Sequence, residues 1–259
     1  MTRYADDPLV LGTVMALIVL GGIGFFVWDD IAKNQWHFRN YTLQTKVVLT
    51  TTALLLILPF LWFWLCEFVH WNGMSTGKQA LSALFQTVCP RTAGFNNVDL
   101  NQLSGGSKLL TILLMLVGGS PSSTAGGIKT TTFFVLMQEV RIIFSKRRLG
   151  AFRRRLPEES LAKAATITLL GTIVVFVGTF MLCVLEPQHS FVQLLFEQIS
   201  AYSTAGLSTG ITAGLCAASK TVLIFTMYIG RVGAVSLLSL WIERPEPSAR
   251  YTEEAITIG

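Results

Sequence analysis

The segment Leu84-Phe85-Gln86-Thr87-Val88-Cys89-Pro90-Arg91-Thr92-Ala93-Gly94-Phe95 has a near repeat about 112 residues later, Leu195-Phe196-Glu197 leading into Thr204-Ala205-Gly206-Leu207. Each copy opens on an apolar run too short to cross a bilayer and ends in a loop of small residues. Long apolar stretches flank both. A half-crossing between two crossings puts irregular backbone inside a membrane, where it is tolerated only against protein or a wet cavity. The paired motif therefore reads as the narrow part of an ion pathway.

Working outward, the composition agrees with a membrane as the solvent. Hydrophobic residues make up 51% of the 259 positions and charged residues 14%, against roughly 25% charged in soluble domains. Mean hydropathy is +0.55. Five stretches are long enough for a hydrocarbon core of about 30 Å: Leu9–Trp28, Val47–Cys66, Leu109–Gln138, Ala164–Leu185 and Thr221–Ile242. The first, second and fourth carry no charge, the third contains Lys129 and the fifth Arg231. The expected fold is an all-α integral membrane protein of span–pore-helix–span repeats with re-entrant filter loops, similar in plan to a potassium channel.

Basic residues orient these spans. Arg141, Lys146, Arg147, Arg148, Arg153, Arg154, Arg155 and Lys163 crowd the third linker, and Lys33, Arg39 and Lys46 follow the first span. The positive-inside rule puts both linkers and the tail after Ile242 in the cytoplasm, with the N-terminus outside. The net charge of +5 arises largely here. Set against membrane spans, the arginine run points to anionic lipid headgroups or a cytoplasmic partner rather than nucleic acid. No cleavable secretory signal is evident, since Asp6-Asp7-Pro8 precedes the first apolar run. Cys66, Cys89, Cys183 and Cys216 lack disulfide-framework or metal-ligand spacing. No nucleophile–base–orienter set is present, so an enzyme is not expected.

Gln79 to about Val88 is three helical turns, half a bilayer at about 1.5 Å per residue, and Pro90 marks its end. Phe191–Ser200 is the second such helix, with a flat amphipathic helix on the membrane surface as the alternative. Thr92-Ala93-Gly94 and Thr204-Ala205-Gly206 would then offer carbonyl oxygens. Glycine gives access to positive φ, and rings of carbonyls can replace the hydration shell of a potassium ion. Four such loops around one axis would surround the ion.

Three further features need explaining. Gly118-Gly119-Ser120-Pro121-Ser122-Ser123-Thr124-Ala125-Gly126-Gly127-Ile128-Lys129 predicts a break in the third span. Pro121 lacks the amide that a helix needs, and a flexible intramembrane loop would narrow the pore and move during gating. Close helix packing through small residues is the alternative. A phosphate-binding loop fails because Ile128 separates Gly127 from Lys129. Arg231, costly at this depth, is expected to face the pore, with a helix-to-helix pair or snorkelling as alternatives. Asn96, Asn97 and Asp99 fall at the outer mouth. Glu197 either supports the filter scaffold or attracts cations, while Glu67 and Glu186 read as interfacial.

These segments resemble the Trk/Ktr/HKT superfamily of potassium transporters, and most of all the bacterial Ktr membrane subunit. Arg91-Thr92-Ala93-Gly94-Phe95-Asn96 is similar to the third filter segment of that family, and Ser203-Thr204-Ala205-Gly206-Leu207-Ser208-Thr209-Gly210 to the fourth. Gly119–Thr130 resembles its intramembrane gating loop, and Met227-Tyr228-Ile229-Gly230-Arg231-Val232-Gly233 its pore-arginine segment. Ala205 stands where valine is common. The resemblance implies four repeats around one pore in each subunit of a homodimer, on a ring of cytoplasmic nucleotide-binding regulatory subunits in the plasma membrane of a bacterium. It also implies potassium uptake with sodium as coupling or activating ion, and no covalently bound cofactor. On this reading residues 1–46 hold an orphan second span and linker, residues 47–138 the third repeat, residues 139–163 a basic cytoplasmic linker, and residues 164–259 the fourth repeat and tail. The expectation is the C-terminal portion of a transporter. The competing reading is a truncated or non-conducting membrane fragment or regulatory subunit.

Overall fold

The computed structural model describes residues 4, 7–35, 37–71, 75–145, 150–152 and 154–233. It is an all-α membrane fold. Helix α1 (Pro8–Ile23) starts where the Asp7 carboxylate accepts the Leu9 and Val10 N–H groups at 3.0 and 3.2 Å. Proline at the first helical position loses no hydrogen bond.

The expected straight span Leu9–Trp28 is not what forms. At Gly24, φ 91°, the chain turns by 90° into α2 (Phe25–Asn34). The backbone groups released by this bend find partners in the third span's interruption. Ser120 N–H donates to Gly22 O at 3.0 Å and Phe25 N–H to Ser122 O at 3.1 Å. A Cβ at Gly24 would stand 2.5 Å from Pro121 O, so the position demands glycine for both its φ and its crowding.

Helix α3 (Leu43–Trp62) is capped by Thr42, which Asp30 holds through the Thr42 N–H and hydroxyl, both at 2.9 Å. Beyond Pro59 it continues through a widened turn, Phe63–Glu67, in which Phe68 N–H reaches Phe63 O. Leu43–His70 is thus one continuous crossing, and α7 (Glu158–Leu185) supplies another. Helix α7 leaves Leu169, Phe176, Phe180 and Val184 exposed, as a face toward lipid would be.

The two half-crossings are α4 (Thr76–Val88) and α8 (Phe191–Tyr202). Each runs slightly longer than its sequence suggests. Helix α8 packs against α7, α9 (Ala217–Val232) and α5 (Gly105–Leu116). It has eight buried residues, Leu194 and Phe196–Tyr202 among them. A surface-lying amphipathic helix would not be enclosed in this way. The largest core cluster, with Phe63, Phe68, Leu100, Met115 and Phe196, lies around it.

The third span is broken as expected: α5 stops at Leu116 and α6 (Thr130–Ser145) begins after the loop. The described part of the fifth ends in Val232, with Gly233 at φ 91° as its cap. The rest of Thr221–Ile242, the tail, and Lys146, Arg147, Arg148 and Arg153 lie outside the described residues. Within the basic linker, β1 (Gly150–Ala151) and β2 (Arg154–Arg155) pair antiparallel.

Candidate ion pathway

Helices α4 and α8 deliver their C-termini to the two Thr-Ala-Gly loops. Thr92 and Gly94 have φ of 68° and 74°, and Thr204 and Gly206 have φ of 51° and 81°. Ala93 and Ala205, between them, stay on the ordinary side. In an extended strand successive carbonyls alternate in direction. Left-handed residues interleaved with right-handed ones bring them to one side, as a carbonyl-lined filter requires. Positive φ at a β-branched threonine is unfavourable, so its occurrence at the same position of both loops marks imposed geometry.

The loops touch at their glycines. A Cβ on Gly94 would lie 3.0 Å from Ala205 O and 3.1 Å from Gly206 Cα, and one on Gly206 3.1 Å from Gly94 Cα. Outside this contact the Asn96 side chain donates to Ser208 O at 3.4 Å, and that of Asn101 to Thr209 O at 2.9 Å. The structure thus brings Thr92, Ala93, Gly94 and Phe95 together with Thr204, Ala205, Gly206 and Leu207.

Behind the fourth loop, Glu197 resolves into a scaffold role. Buried, its carboxylate accepts from Ser208 Oγ (2.7 Å), Thr209 N–H (2.9 Å), Thr209 Oγ1 (3.2 Å) and Thr212 Oγ1 (2.7 Å). The third loop is backed differently. Arg91 is buried there, with one guanidinium nitrogen 3.5 Å from Gly118 O and no hydrogen-bond partner at Nε.

Glu67 and Glu186, near the ends of their spans, have protein partners rather than an exposed surface. Both are buried, and each accepts from the residue that caps the second helix of its repeat. Ser104 donates its N–H and hydroxyl to Glu67 at 3.0 and 2.6 Å, and Cys216 its N–H to Glu186 at 2.6 Å. Hydrogen bonds from the Cys216 N–H and the Ser219 hydroxyl hold the Glu186 carboxyl down at about 2. Gln86 and Gln198, also buried, donate to Thr111 (3.3 Å) and Thr226 (2.9 Å), tying each pore helix to the helix after it.

Beside the two Thr-Ala-Gly loops, the loop between α5 and α6 has a closed neck. Ile128 N–H donates to Leu116 O at 3.2 Å, Gly118 N–H to Ile128 O at 2.9 Å, and Thr130 N–H to Gly119 O at 3.1 Å. Gly126 and Gly127 press on the second Thr-Ala-Gly loop: a Cβ on Gly126 would lie 2.9 Å from Ser203 O, and one on Gly127 3.2 Å from Ser203 Cα. Gly119 is equally crowded, by Ala125, Ser123 and Gly22 O. Pro121 and Ser122 sit against Gly24 at the α1–α2 bend, and Thr124 Oγ1 faces Gly21. Two cations bind the loop's carbonyls: Lys129 donates to Ala125 O and Arg231 to Thr124 O. Among the described residues, Arg231 therefore contacts the backbone of the loop. The small residues do serve close packing, and they do so while holding non-helical backbone in the membrane interior.

Arg91, Gln86 and Gln198 have no assigned part in the sequence reading, and the partners of Glu67 and Glu186 are not named there. A signal was present. Gln86 and Gln198, Ser107 and Ser219, and Lys108 and Lys220 all stand 112 positions apart. Each glutamine donates to a threonine of the following helix, although those threonines stand 115 positions apart, so Gln86 corresponds to Gln198 and not to Glu197.

The chain matches the family described as "TrkH: Cation transport protein" over residues 1–252. It is 37% identical over 266 residues to the Ktr system potassium uptake protein B of Vibrio alginolyticus, covering 100% of this chain and 58% of that protein. To the potassium/sodium uptake protein NtpJ of Enterococcus hirae it is 38% identical over 258 residues, covering 95% and 56%. The potassium transporter TrkH from Vibrio parahaemolyticus shares the fold with a TM-score of 0.76 at 20% identity, over 92% of this chain and 53% of that one. The chain spans little more than half the length of these relatives.

Proposed function

The chain belongs to the TrkH cation transport protein family, and we propose that it supplies two of the four filter segments of a potassium-uptake pathway in the plasma membrane of a bacterium. The family is one of transport, not of enzymes. One observation carries the reading: two loops, each with positive φ at threonine and glycine only, meeting glycine to glycine. Thr92, Ala93, Gly94, Phe95, Thr204, Ala205, Gly206 and Leu207 form the filter, and Gly119–Lys129 with Arg231 form the constriction below it. Two loops make half of a ring that surrounds an ion. The other half comes from the further length that the relatives carry.

The basic linker faces the cytoplasm, by the positive-inside rule, with the N-terminus of this chain outside. There it meets anionic lipids and a regulatory ring of nucleotide-binding subunits beneath a homodimer. Sodium is the coupling or activating ion, in line with the name of the Enterococcus hirae relative.

The test replaces Gly94 or Gly206 by serine in a chain joined to the remaining repeats. A side chain at Gly94 meets the Ala205 carbonyl, and φ near +74° disfavours it further. Potassium-over-sodium discrimination should fall about tenfold or more, equivalent to at least about 1.4 kcal/mol. Unchanged ion selectivity at equal protein abundance would remove both loops from the filter.

A further inference from the structure

A cavity of about 590 Å³ opens on the side of the bundle, at the end that carries the basic linker. Phe26 of α2, Val47 of α3, Val135 of α6 and Ile167 of α7 give it apolar walls, and Pro121 of the intramembrane loop is part of its lining. Lys163 lines it as well, near the start of α7. Its volume is in the range of small-molecule sites. Its walls belong to crossings whose outer faces meet lipid, so the medium that reaches it is acyl chain.

We propose that this cavity binds one anionic phospholipid, with an acyl chain between α3, α6 and α7 and the phosphate at Lys163. The charge supports that orientation. Arg154 and Arg155 directly precede Leu156, which also lines the cavity. The acid facing Lys163 is Glu159, at 3.8 Å, and both side chains are mostly exposed, so their pairing is weak and Lys163 remains available to a phosphate. Basic pockets between spans on this side of a membrane are suited to anionic headgroups.

The position gives the lipid a consequence. Its chain would touch Pro121 next to the Ser122 carbonyl that accepts from Phe25 N–H. Phe26, also part of the lining, stands two residues after the Gly24 bend. An occupied cavity would brace the intramembrane loop against the α1–α2 elbow. This site stands apart from the permeation proposal, because its test is binding and not flux.

The test is native mass spectrometry of the purified chain in detergent, with phosphatidylglycerol or phosphatidylcholine of identical acyl chains added. One phosphatidylglycerol should be retained about fivefold more tightly than phosphatidylcholine, the contribution of one basic residue near a phosphate. Lys163→Glu should erase that preference. Ile167→Trp, which fills the cavity, should reduce retention of both lipids at least about threefold, while Phe180→Trp on the exposed face of α7 should not. Circular dichroism on each preparation establishes that the variants are folded, and the surface change at Lys163 keeps the test decisive if Ile167→Trp does not fold. Equal retention of the two lipids by the unmodified chain would overturn the proposal, as would unchanged retention in a folded Ile167→Trp.

Discussion

The two span–short-helix–span units share a set of contacts and differ in what stands behind and beneath their loops. Glu67 with Ser104 is matched by Glu186 with Cys216, and Gln86 with Thr111 by Gln198 with Thr226. Both loops take positive φ at threonine and glycine. The shared contacts fix a helix N-terminus and a pore-helix orientation, which any half-crossing requires. The differences break the symmetry. A buried cation, Arg91, backs the third loop, while a buried carboxylate, Glu197, backs the fourth. Helix α5 gives way to a pinned loop, while α9 runs on to Arg231, which binds that loop. Two copies of one scaffold therefore make different contacts around their loops.

The strongest way to break this comparison is Glu197→Ala. Four hydrogen bonds lose their common acceptor, and unpaired buried donors cost about 1–3 kcal/mol each. Folded protein should fall sharply, with a loss of about 3 kcal/mol or more in detergent unfolding. Glu197→Gln, which keeps one acceptor oxygen, should recover part of it. An alanine variant that unfolds with the unmodified protein would make the carboxylate a bystander, and the two loops would then be backed alike.

Arg231→Ala tests the other difference, in a chain joined to the remaining repeats. If the arginine and the loop together obstruct cations, flux per folded molecule should rise about threefold or more, with filter selectivity unchanged. Loss of stability without a rise in flux would reassign Arg231 to packing.

Much of this was legible in the sequence, for reasons that can be stated. Short apolar runs and the glycine–proline interruption are local signals, and each became the expected element. The 90° bend at Gly24 was missed because Leu9–Trp28 is apolar throughout. Hydropathy cannot report a turn whose freed backbone groups are met by Ser120 and Ser122, about 100 residues away. The partners of Glu67 and Glu186 were illegible for a similar reason. Position near a span's end suggests an interface, whereas the partners that bury them lie 37 and 30 positions further on. The register of the repeat also slipped by one residue at the pore helices, where Leu-Phe-Gln and Leu-Phe-Glu look more alike than Gln86 and Gln198 do in isolation.

Acid separates the shared contacts from the rest. The Glu186 carboxyl sits at about 2 against an ordinary value of 4.5. A depressed carboxyl lends its full stability above the unfolded value and loses it as pH falls through the folded one. The midpoint of detergent unfolding should therefore decline between about pH 4.5 and pH 2 in the unmodified chain. Glu186→Gln should flatten that decline relative to the unmodified chain, because its side chain does not titrate. Parallel profiles for the two proteins would mean that Glu186 does not clamp the start of α9.

The smallest expected effect is the one that tests the equivalence most directly. Lys108 donates to Asn101 O at 2.8 Å and Lys220 to Ala213 O at 2.9 Å, each seven positions back and each exposed. Both tie the first turn of a second helix, α5 or α9, to the loop before it. A solvent-accessible ammonium–carbonyl bond competes with water, so either alanine variant should cost no more than about 0.5 kcal/mol. The informative quantity is the difference between the two, which should vanish within error if the 112-residue correspondence holds at the outer face as it does at the glutamines. Unfolding of Lys108→Ala, Lys220→Ala and the double variant, on matched preparations, gives that difference and the coupling together. Additive, equal costs are expected, since each lysine bonds within its own repeat and they share no partner. A larger cost for one of them would show that the outer halves of the repeats have diverged as far as the inner ones.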